Sequence, residues 1–436
     1  NKNTYAKAAG NMVTYLSRDD WNGTFPQPYT IIMNDDMVKQ ASPETYVRDE
    51  KLISTIELPK LGQQHGLTIL DMRGLSTTGE DVVSEGKLAG KTEAEAWDLF
   101  MEQLTVEELA SNVLGGTFGI ELPRLLIPAT KDTEGPTGIN AKMKNGVTCP
   151  EQPSGDLRAA TFNPGLIREA GRIDGEAMLH TGVDINVYAP GCDIHRTPYG
   201  GRNYQYYSED GFVTGMAVGY QVSEMRKLGT YANAKHYLLN DAETNRHGVS
   251  TWANEKTIRE IYLPAFEIAA TRFGTNGLAG VMTSFNRLGM IWAGQDENAL
   301  FGVLRGELGM NGTFITDHYE ADYMDGVDGV IGGTTKWHGP NNNVIDAVND
   351  YLKANGNDTV FLSRLVNAVK ANYWEVANSY VLDGFSEDTA VTAHTSWWWI
   401  CAIMICVAFG ALLVFSAVRL AINVIRKKRE KKGVQS

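Results

Sequence analysis

The chain has 436 residues and a formal net charge of −13, and 43% of its residues are hydrophobic and 9% aromatic. This composition is that of an ordinary globular protein and excludes a disordered stalk. The segment from Arg419 onward has seven basic residues and one acidic residue, so it carries +6 and leaves −19 on the rest of the chain. An acidic body of this kind disfavours nucleic acid as a partner.

The first 90 residues are polar and irregular, and they show no pattern of a complete domain. The chain begins at Asn1 rather than Met, and its start does not read as a signal peptide. We therefore expect the sequence to be a processed product or a fragment that lacks its natural start.

Strand and helix patterns alternate over residues 95–385. Short apolar runs that end in polar or glycine-rich clusters predict strands, and apolar residues at helical spacing predict helices. The predicted strands are 125–128, 183–190, 231–234, 280–283 and 313–316, and the predicted helices are 93–114, 164–181, 208–227, 255–273, 298–308 and 361–380. This alternation is typical of a (β/α)8 barrel or a doubly wound sheet, and roughly 290 residues suit the barrel, whose usual size is about 250.

We predict an α/β protein with a (β/α)8 TIM-like barrel at residues 91–385, followed by a single transmembrane helix. Barrels of this kind place the active site at the carboxyl ends of their strands. Polar residues follow several predicted strands, as Lys235 and His236 do after 231–234 and Asp317 does after 313–316. The site is therefore expected at this edge of the sheet.

Residues 397–418 form a stretch of 22 residues without a formal charge. A helix of this length spans a bilayer core of roughly 30 Å at about 1.5 Å per residue. The three tryptophans at 397–399 suit an interfacial belt, and the basic cluster at 426–432 is typical of a cytoplasmic end. The alternative, a buried core helix, seldom runs this long without a polar face. We predict a polar linker at 386–396, a membrane span at 397–425, a cytoplasmic tail at 426–436, and an outward-facing body at the cell membrane.

The chain has four cysteines, and two of them, Cys401 and Cys406, lie in the predicted span. Cys149 and Cys192 are thus the only pair for an external disulfide. We expect them to be buried free thiols instead, because a large fold does not need the crosslink. The sequence shows no metal-ligand constellation and no phosphate-binding glycine loop, so we expect no cofactor and no metal.

Residues 195–210 read HRTPYGGRNYQYYSED, and this run resembles the signature of glycoside hydrolase family 3, whose members commonly act as β-glucosidases. Further matching motifs are KHY at 235–237, ETNR at 243–246, REIYL at 259–263, MTSFN at 282–286, and LRGELGMNG at 304–312 leading into Thr316 and Asp317. The match covers residues 97–330 in unbroken order. The resemblance implies the family's barrel and a retaining glycosidase reaction.

By this resemblance, Asp317 is the nucleophile. Retaining hydrolysis needs a carboxylate on one face of the anomeric carbon and a proton donor on the other, with the two carboxyl groups about 5 to 5.5 Å apart. Because Phe314, Ile315 and Thr316 precede it, Asp317 is expected at the mouth of a strand. The alternative is an aspartate that caps the next helix.

The resemblance also implies that Arg202, Lys235, His236 and Glu134 bind the sugar. Ring hydroxyls need converging donors and acceptors, and cations beside Asp317 would favour its ionised form. A surface salt bridge is the alternative for Arg202, and a satisfied core histidine is the alternative for His236. A charged residue directly after an apolar strand, such as Lys235, would be costly to bury without a functional purpose.

Three residues depart from the family's pattern. Glu134 stands where the family usually has aspartate, Gln205 where glutamate is common, and His318 where an aromatic residue, often tryptophan, forms the next subsite. These departures leave the nucleophile in place and bear on the substrate.

The sequence offers two sources for the proton donor. In two-domain relatives the acid is a glutamate on a separate α/β sandwich domain, and in permuted relatives that domain comes first. Residues 1–90 resemble the tail and linker of such an upstream domain, so the acid would lie outside this sequence. In single-domain relatives a histidine after the Lys-His strand donates the proton, which here would be His247.

The prediction is a membrane-anchored glycoside hydrolase that removes terminal β-linked sugars, with glucose as the default, through a covalent intermediate on Asp317. Its expected partners are an oligosaccharide or β-glycoside substrate and the membrane, and the sequence does not determine its oligomeric state. The alternative is a catalytically impaired glycan-binding protein, to which Glu134, Gln205 and the missing acid point.

Overall fold

The computed structural model describes residues 34–40, 56–140, 149–182, 185–196, 200–318, 323–339, 342–392 and 397–433. Two compact units divide the chain at residues 389 and 390. Much of the segment predicted as an upstream tail and linker, residues 1–33 and 41–55, lies outside the described residues. A short helix, Asp35–Gln40, is described between these two ranges.

Six parallel strands form the main sheet of the first unit, and each pairs with the next one along the chain. They are β1 (Thr133–Glu134), β2 (Asn186–Tyr188), β3 (Tyr231–Tyr237), β4 (Gly280–Thr283), β5 (Phe314–His318) and β6 (Lys336–His338). β2 to β5 are buried along all or nearly all of their length, as expected for strands covered on both faces. Two small sheets accompany them, one of Phe118–Gly119 and Thr130–Lys131, the other of Ser250–Thr251, Arg287–Leu288 and Ile291–Trp292.

The prediction of a closed eight-stranded barrel is only partly correct, because within the described residues the sheet is a half-barrel that does not close. Thr130–Lys131, just before β1, pairs antiparallel with Phe118–Gly119 instead of extending the parallel sheet. After β6, the described residues form two helices in succession instead of a further strand. A side-chain contact links the open edges, since Lys336 Nζ at the start of β6 donates to Asp132 Oδ2, 2.8 Å away and next to β1. Both side chains are almost fully buried.

The helices largely follow the sequence pattern. Pro164–Thr181 has the predicted bounds, because Asn163 caps its first turn and Gly182, with φ 65°, ends it in the left-handed region. The others are Gly155–Ala160, Gly211–Lys227, Glu255–Thr257 continuing through the π-helical Ile258–Tyr262 into Leu263–Thr271, the π-helical Asn298–Glu307, Gly326–Gly332, Asn342–Ala354 and Thr359–Ala377.

Two local predictions were wrong. The stretch predicted as one helix, 93–114, is two helices, Glu93–Met101 and Val106–Leu114. Thr105 starts the second with its own capping box, which separates it from the first. The run 125–128 is not a strand, because Leu126 has φ 58° and the preceding residues form a short 3-10 helix.

A buried carboxylate fixes the last helix of this unit to the sheet. Glu375 of Thr359–Ala377 accepts hydrogen bonds from Asn186 Nδ2 at 2.6 Å and from the Thr313 backbone N–H at 2.7 Å. Asn186 belongs to β2, and Thr313 directly precedes β5. One side chain thus joins two strands to the helix.

Residues 56–92 pack on the same unit rather than extending away from it. The short helix Ile69–Met72 buries Ile69 and Met72. The carbonyl of Leu75 accepts hydrogen bonds from two indoles, Trp97 Nε1 at 3.2 Å and Trp374 Nε1 at 3.0 Å. The assignment of residues 1–90 to an upstream domain stays a prediction.

In the second unit, the part of the chain that the structure describes forms one helix, Trp397–Gly433. By length and composition alone, its stretch Trp399–Lys428 could cross a membrane, and its most apolar window buries none of its residues within the structure. The helix continues beyond residue 425, the predicted end of the span.

Candidate active site

Four of the five residues predicted to form the site lie at the carboxyl ends of strands. Glu134 ends β1, Lys235 and His236 are among the last three residues of β3, and Asp317 is the penultimate residue of β5. Arg202 lies on the connection between β2 and β3. Because parallel strands end at a common edge, the structure brings these side chains into one cluster.

Only one oxygen of the Asp317 carboxylate accepts a hydrogen bond from the described residues. Its side chain is 11% exposed, and its Oδ1 accepts a hydrogen bond from the His318 backbone N–H at 2.7 Å. Its Oδ2 is buried and, among the described residues, accepts no hydrogen bond of good geometry. The next helix is capped by Asp325, so capping of that helix does not explain Asp317. One carboxylate oxygen is therefore a buried polar atom without a hydrogen-bond donor among the described residues, an arrangement that calls for a functional explanation.

Opposing effects act on the Asp317 carboxyl. Burial, the largest effect, raises its pKa above the ordinary value, and the Glu134 carboxylate adds to the rise. The Lys235 ammonium, the His318 backbone N–H and the Arg202 guanidinium act in the opposite direction. A desolvated carboxylate between cations is typical of functional sites.

The surroundings of His236 favour its neutral form. Burial, with Arg202, Lys235 and Arg246 nearby, holds its pKa well below the ordinary value. Its Nε2 lies 3.3 Å from Asp317 Oδ2. Because the lowered pKa favours a neutral ring, this contact is not an ion pair. Its Nδ1 lies 3.0 Å from the Tyr206 hydroxyl.

Lys235 and Glu134 are in direct contact. Lys235 Nζ donates to Glu134 Oε2 at 2.6 Å, and the lysine side chain is 3% exposed whereas the glutamate is 26% exposed. Glu134 thus supplies the partner that a buried ammonium requires. The more exposed carboxylate remains accessible to a ligand.

Arg202 sits in a small polar network rather than on the open surface. Its Nη1 donates to Gln205 Oε1 at 3.1 Å, and its Nε lies 3.1 Å from Glu243 Oε2. Arg246 Nη1 donates to the same glutamate oxygen at 2.7 Å. Gln205, one of the departures from the family pattern, is therefore a buried acceptor for Arg202.

A second departure, His318, lies beside a residue that the sequence analysis missed. The His318 and His338 rings are 5.6 Å apart, and the His338 ring lies 5.1 Å from that of Tyr188. Burial, the largest effect, lowers the pKa of His338 to about 4. His338 ends β6, and the residues before it, Thr335, Lys336 and Trp337, form no apolar run that would indicate a strand.

Three further residues of the cluster were assigned no role from the sequence, and two of them, Tyr206 and Glu243, lie inside the family motifs. Asn240 Nδ2 donates to the Tyr206 hydroxyl at 2.8 Å and to Glu243 Oε1 at 3.1 Å. Tyr206 lies within the run 195–210 and Glu243 within 243–246. Their motif membership was a usable signal, whereas Asn240 carried none.

The ring of His247, the alternative proton donor, packs against that of Phe285 with centroids 4.7 Å apart. This contact does not test whether His247 transfers a proton. Cys192 is a buried free thiol whose pKa is raised well above its ordinary value by burial, the larger effect, and by Asp193. The expected buried free thiol is thus confirmed at Cys192, which forms no disulfide with Cys149, whereas Cys149 is half-buried rather than buried as expected.

Within the described part of the chain, no group of three or more His, Cys, Asp or Glu side chains is arranged to hold a metal ion. A surface depression of about 450 Å³ that includes open solvent is lined by residues such as Glu107, Glu108 and Tyr373 and by none of the five site residues. Because the predicted site residues converge at Asp317 instead, we place the site at the strand ends.

Comparisons with known proteins agree with the motifs. The profile described as "Glycosyl hydrolase family 3 N terminal domain" matches residues 100–334. A beta-glucosidase of Ruminococcus albus is 36% identical over 196 residues, which are 45% of this chain and 20% of that protein. Beta-glucosidase B of Emericella nidulans is 34% identical over 245 residues, which are 54% of this chain and 28% of that protein. The chain spans less than a third of the length of these relatives.

Solved structures show the same similarity. Beta-glucosidase 3B from Thermotoga neapolitana, in complex with glucose, superposes with a TM-score of 0.58 and 28% sequence identity. The superposition covers 66% of this chain and 43% of that one.

Proposed function

Because the chain belongs to glycoside hydrolase family 3, we propose that its half-barrel unit cleaves β-glucosides with retention of configuration, using Asp317 as the nucleophile. The observation that carries this proposal is the Asp317 carboxylate, which lies at the end of β5 with one oxygen fixed by a backbone N–H and the other without a hydrogen bond from the described residues. The beta-glucosidase relatives support glucose as the sugar.

The reaction proceeds in two displacements. The unpaired oxygen of Asp317 attacks the anomeric carbon, the bond from that carbon to the leaving oxygen breaks, and the leaving oxygen takes the electron pair and a proton. Water then attacks the anomeric carbon of the glycosyl-enzyme, loses a proton, and releases the carboxylate. Lys235, His236 and Arg202 line the cluster as donors for sugar hydroxyls and for the negative charge on the nucleophile.

The proton for the leaving group comes from outside the cluster at Asp317. A donor on a part of the protein beyond this sequence is our first assignment, and His247 is the second. Hydrolysis rates for substrates with good and with poor leaving groups distinguish the two assignments. An aryl glucoside with a good leaving group needs no proton, so loss of the true donor slows poor leaving groups far more than good ones.

The experiment traps the covalent intermediate. The full chain in detergent is incubated with 2,4-dinitrophenyl 2-deoxy-2-fluoro-β-glucoside, and the intact mass is measured. We expect the mass to rise by one fluoroglucosyl group on wild type and to stay unchanged for Asp317→Asn. No adduct on wild type, together with binding of glucose, would favour the glycan-binding alternative instead.

We also propose that the helix Trp397–Gly433 anchors the protein in the cell membrane as a single span, with the first unit outside and the C-terminus in the cytoplasm. Its apolar length and the exposure of its described side chains support the anchor. The basic residues after Val418 support the orientation.

Membrane extraction tests this anchor. Wild type should stay in the pellet after alkaline carbonate treatment, whereas Leu412→Arg/Leu413→Arg should shift it to the supernatant, because charged side chains are costly at the bilayer centre. Leu157→Arg, at an exposed position of the first unit, is the matched control and should stay in the pellet. Protease added to intact cells should digest the first unit and spare a C-terminal epitope. Release of wild type by carbonate would contradict the proposal.

A further inference from the structure

A row of buried polar groups leads from Asn240 to the predicted nucleophile. Asn240 Nδ2 is 2.8 Å from the Tyr206 hydroxyl, that hydroxyl is 3.0 Å from His236 Nδ1, and His236 Nε2 is 3.3 Å from Asp317 Oδ2. Relative exposures along the row range from 1% at Tyr206 and His236 to 8% at Asp317. Bulk water therefore does not compete for these contacts.

The direction of each hydrogen bond follows from a fixed acceptor at one end. The Glu243 carboxylate only accepts hydrogen bonds, so the Asn240 group that lies 3.1 Å from it must be the amide nitrogen. The second hydrogen of that nitrogen is donated to the Tyr206 oxygen. Among the described residues the Tyr206 hydroxyl has two hydrogen-bond partners, Asn240 Nδ2 and His236 Nδ1, and because the amide nitrogen only donates, the hydroxyl hydrogen is donated to His236 Nδ1.

This network assigns the tautomer of His236. A neutral imidazole carries one proton, and when Nδ1 accepts a hydrogen bond the proton lies on Nε2. Burial and the cations Arg202, Lys235 and Arg246 keep the ring neutral. The N–H on Nε2 is then directed to the side of the ring where Asp317 Oδ2 lies.

We propose that Tyr206 is a positioning residue that holds His236 in the Nε2-protonated tautomer, so that the imidazole presents an N–H to the Asp317 carboxylate. The inference rests on the proposed function for its catalytic meaning. The contact is 3.3 Å long and lacks hydrogen-bond geometry, so the N–H stabilises the ionised carboxylate electrostatically and leaves Oδ2 free to attack. In the other tautomer, a nitrogen lone pair would face the carboxylate and repel it.

The first experiment needs no substrate. Nitrogen-15 chemical shifts of histidine are measured on the uniformly histidine-labelled full chain in detergent, and the signals of His236 are identified by their loss in His236→Gln. We expect a pyridine-type Nδ1 and a pyrrole-type Nε2. A protonated Nδ1 would overturn the proposal. This result stands whether or not the protein hydrolyses a β-glucoside, so failure of the proposed function is detected separately.

The second experiment compares two adjacent tyrosines. Tyr206→Phe removes the hydroxyl beside His236, whereas Tyr207→Phe removes an equally buried hydroxyl that donates to Gln221. We expect Tyr206→Phe to mix the two tautomers in the nitrogen spectrum and to lower kcat/KM for an aryl β-glucoside about tenfold, mainly through kcat. Tyr207→Phe should leave both readouts at wild-type values.

The pH profile of kcat/KM provides a further test, because a merely structural role of Tyr206 would not shift it. The charged groups facing Asp317, which are Lys235, Arg202 and Glu134, are the same in both variants. Loss of the N–H donor disfavours the ionised carboxylate, so the acid limb of kcat/KM should move to higher pH in Tyr206→Phe only. If Tyr206→Phe and Tyr207→Phe gave the same nitrogen-15 spectra and the same pH profiles of kcat/KM, the proposal would be overturned.

Discussion

Lys235 donates a hydrogen bond to Glu134 over 2.6 Å, although β3 and β1, which carry them, are separated by β2. The contact crosses the end of the intervening strand. It places the glutamate that departs from the family pattern against the lysine predicted to bind the sugar. The partner of Lys235 before a sugar binds is therefore a side chain of the protein itself.

Shortening this glutamate should improve substrate binding. Glu134→Asp withdraws the carboxylate from Lys235 by about one carbon–carbon bond, roughly 1.5 Å, so the ammonium gains a free donor for a sugar hydroxyl. We expect KM for an aryl β-glucoside to fall about threefold to tenfold while kcat changes by less than about twofold. Steady-state kinetics measure both, and a raised KM would show that the longer side chain itself grips the sugar.

The acid limb of kcat/KM should lie above the pH at which an ordinary aspartate titrates, about 3.9. The nucleophile reacts when ionised and burial raises the pKa of Asp317, so activity is lost as the pH falls through that raised value. Lys235→Met removes a cation that lowers this pKa and should move the limb to higher pH. Glu134→Gln removes a carboxylate that raises it and should move the limb to lower pH. Shifts of the same sign in both variants would contradict the assignment of the limb to Asp317.

The buried pair Lys336 and Asp132 should be essential for stability. Lys336→Met leaves the Asp132 carboxylate buried beside a hydrocarbon and should lower the free energy of unfolding by about 3 to 5 kcal/mol. Asp132→Asn in the same chain should recover part of the loss by removing the unpaired charge. Urea denaturation followed by tryptophan fluorescence measures both.

Lys353→Met provides the matched control for this pair. Lys353 contacts Asp350 over 2.8 Å, but both side chains are more than two-thirds exposed. We expect no measurable change in the urea midpoint. If Lys336→Met behaved like Lys353→Met, the link between β6 and the chain before β1 would be dispensable.

Two glycine substitutions should have opposite effects on stability. A Cβ at Gly171 would lie 2.2 Å from the carbonyl oxygen of Gln221 on the neighbouring helix, so Gly171→Ala should cost about 1 to 3 kcal/mol. A Cβ at Gly302 meets nothing within 4 Å, so Gly302→Ala should stabilise its helix by about 0.5 to 1 kcal/mol. Thermal melting of the two variants checks the sign of each change.

The sequence predicted elements well where local chemistry decides the backbone. The helix Pro164–Thr181 was correct to the residue, because an asparagine cap and a left-handed glycine mark its ends. The single helix expected at 93–114 was wrong, because the threonine at 105 also starts a helix and the apolar spacing continues across the break. The strand expected at 125–128 was wrong because an apolar run does not reveal a left-handed leucine.

The candidate site was predicted by the order of its motifs, and the structure brings the predicted residues together at one sheet edge. The partners within the site could not be predicted, because they depend on distances between strands. Nothing in the spacing of Glu134 and Lys235 indicates that they pair, and the run containing Tyr206 does not indicate that its hydroxyl meets His236. The half-barrel was missed for the same reason, since closure depends on long-range pairing.

The carbonyl of Leu75 accepts the indole N–H groups of Trp97 and Trp374, and this limits how far the N-terminal side of the protein can be truncated. A shortened protein that starts at residue 91 would lack that oxygen and leave both indole N–H groups without their acceptor. A truncated first unit for crystallisation should therefore begin upstream of Gly62. The Gly62 N–H donates a hydrogen bond to the Leu104 carbonyl, so the segment is attached to the fold from this residue onward.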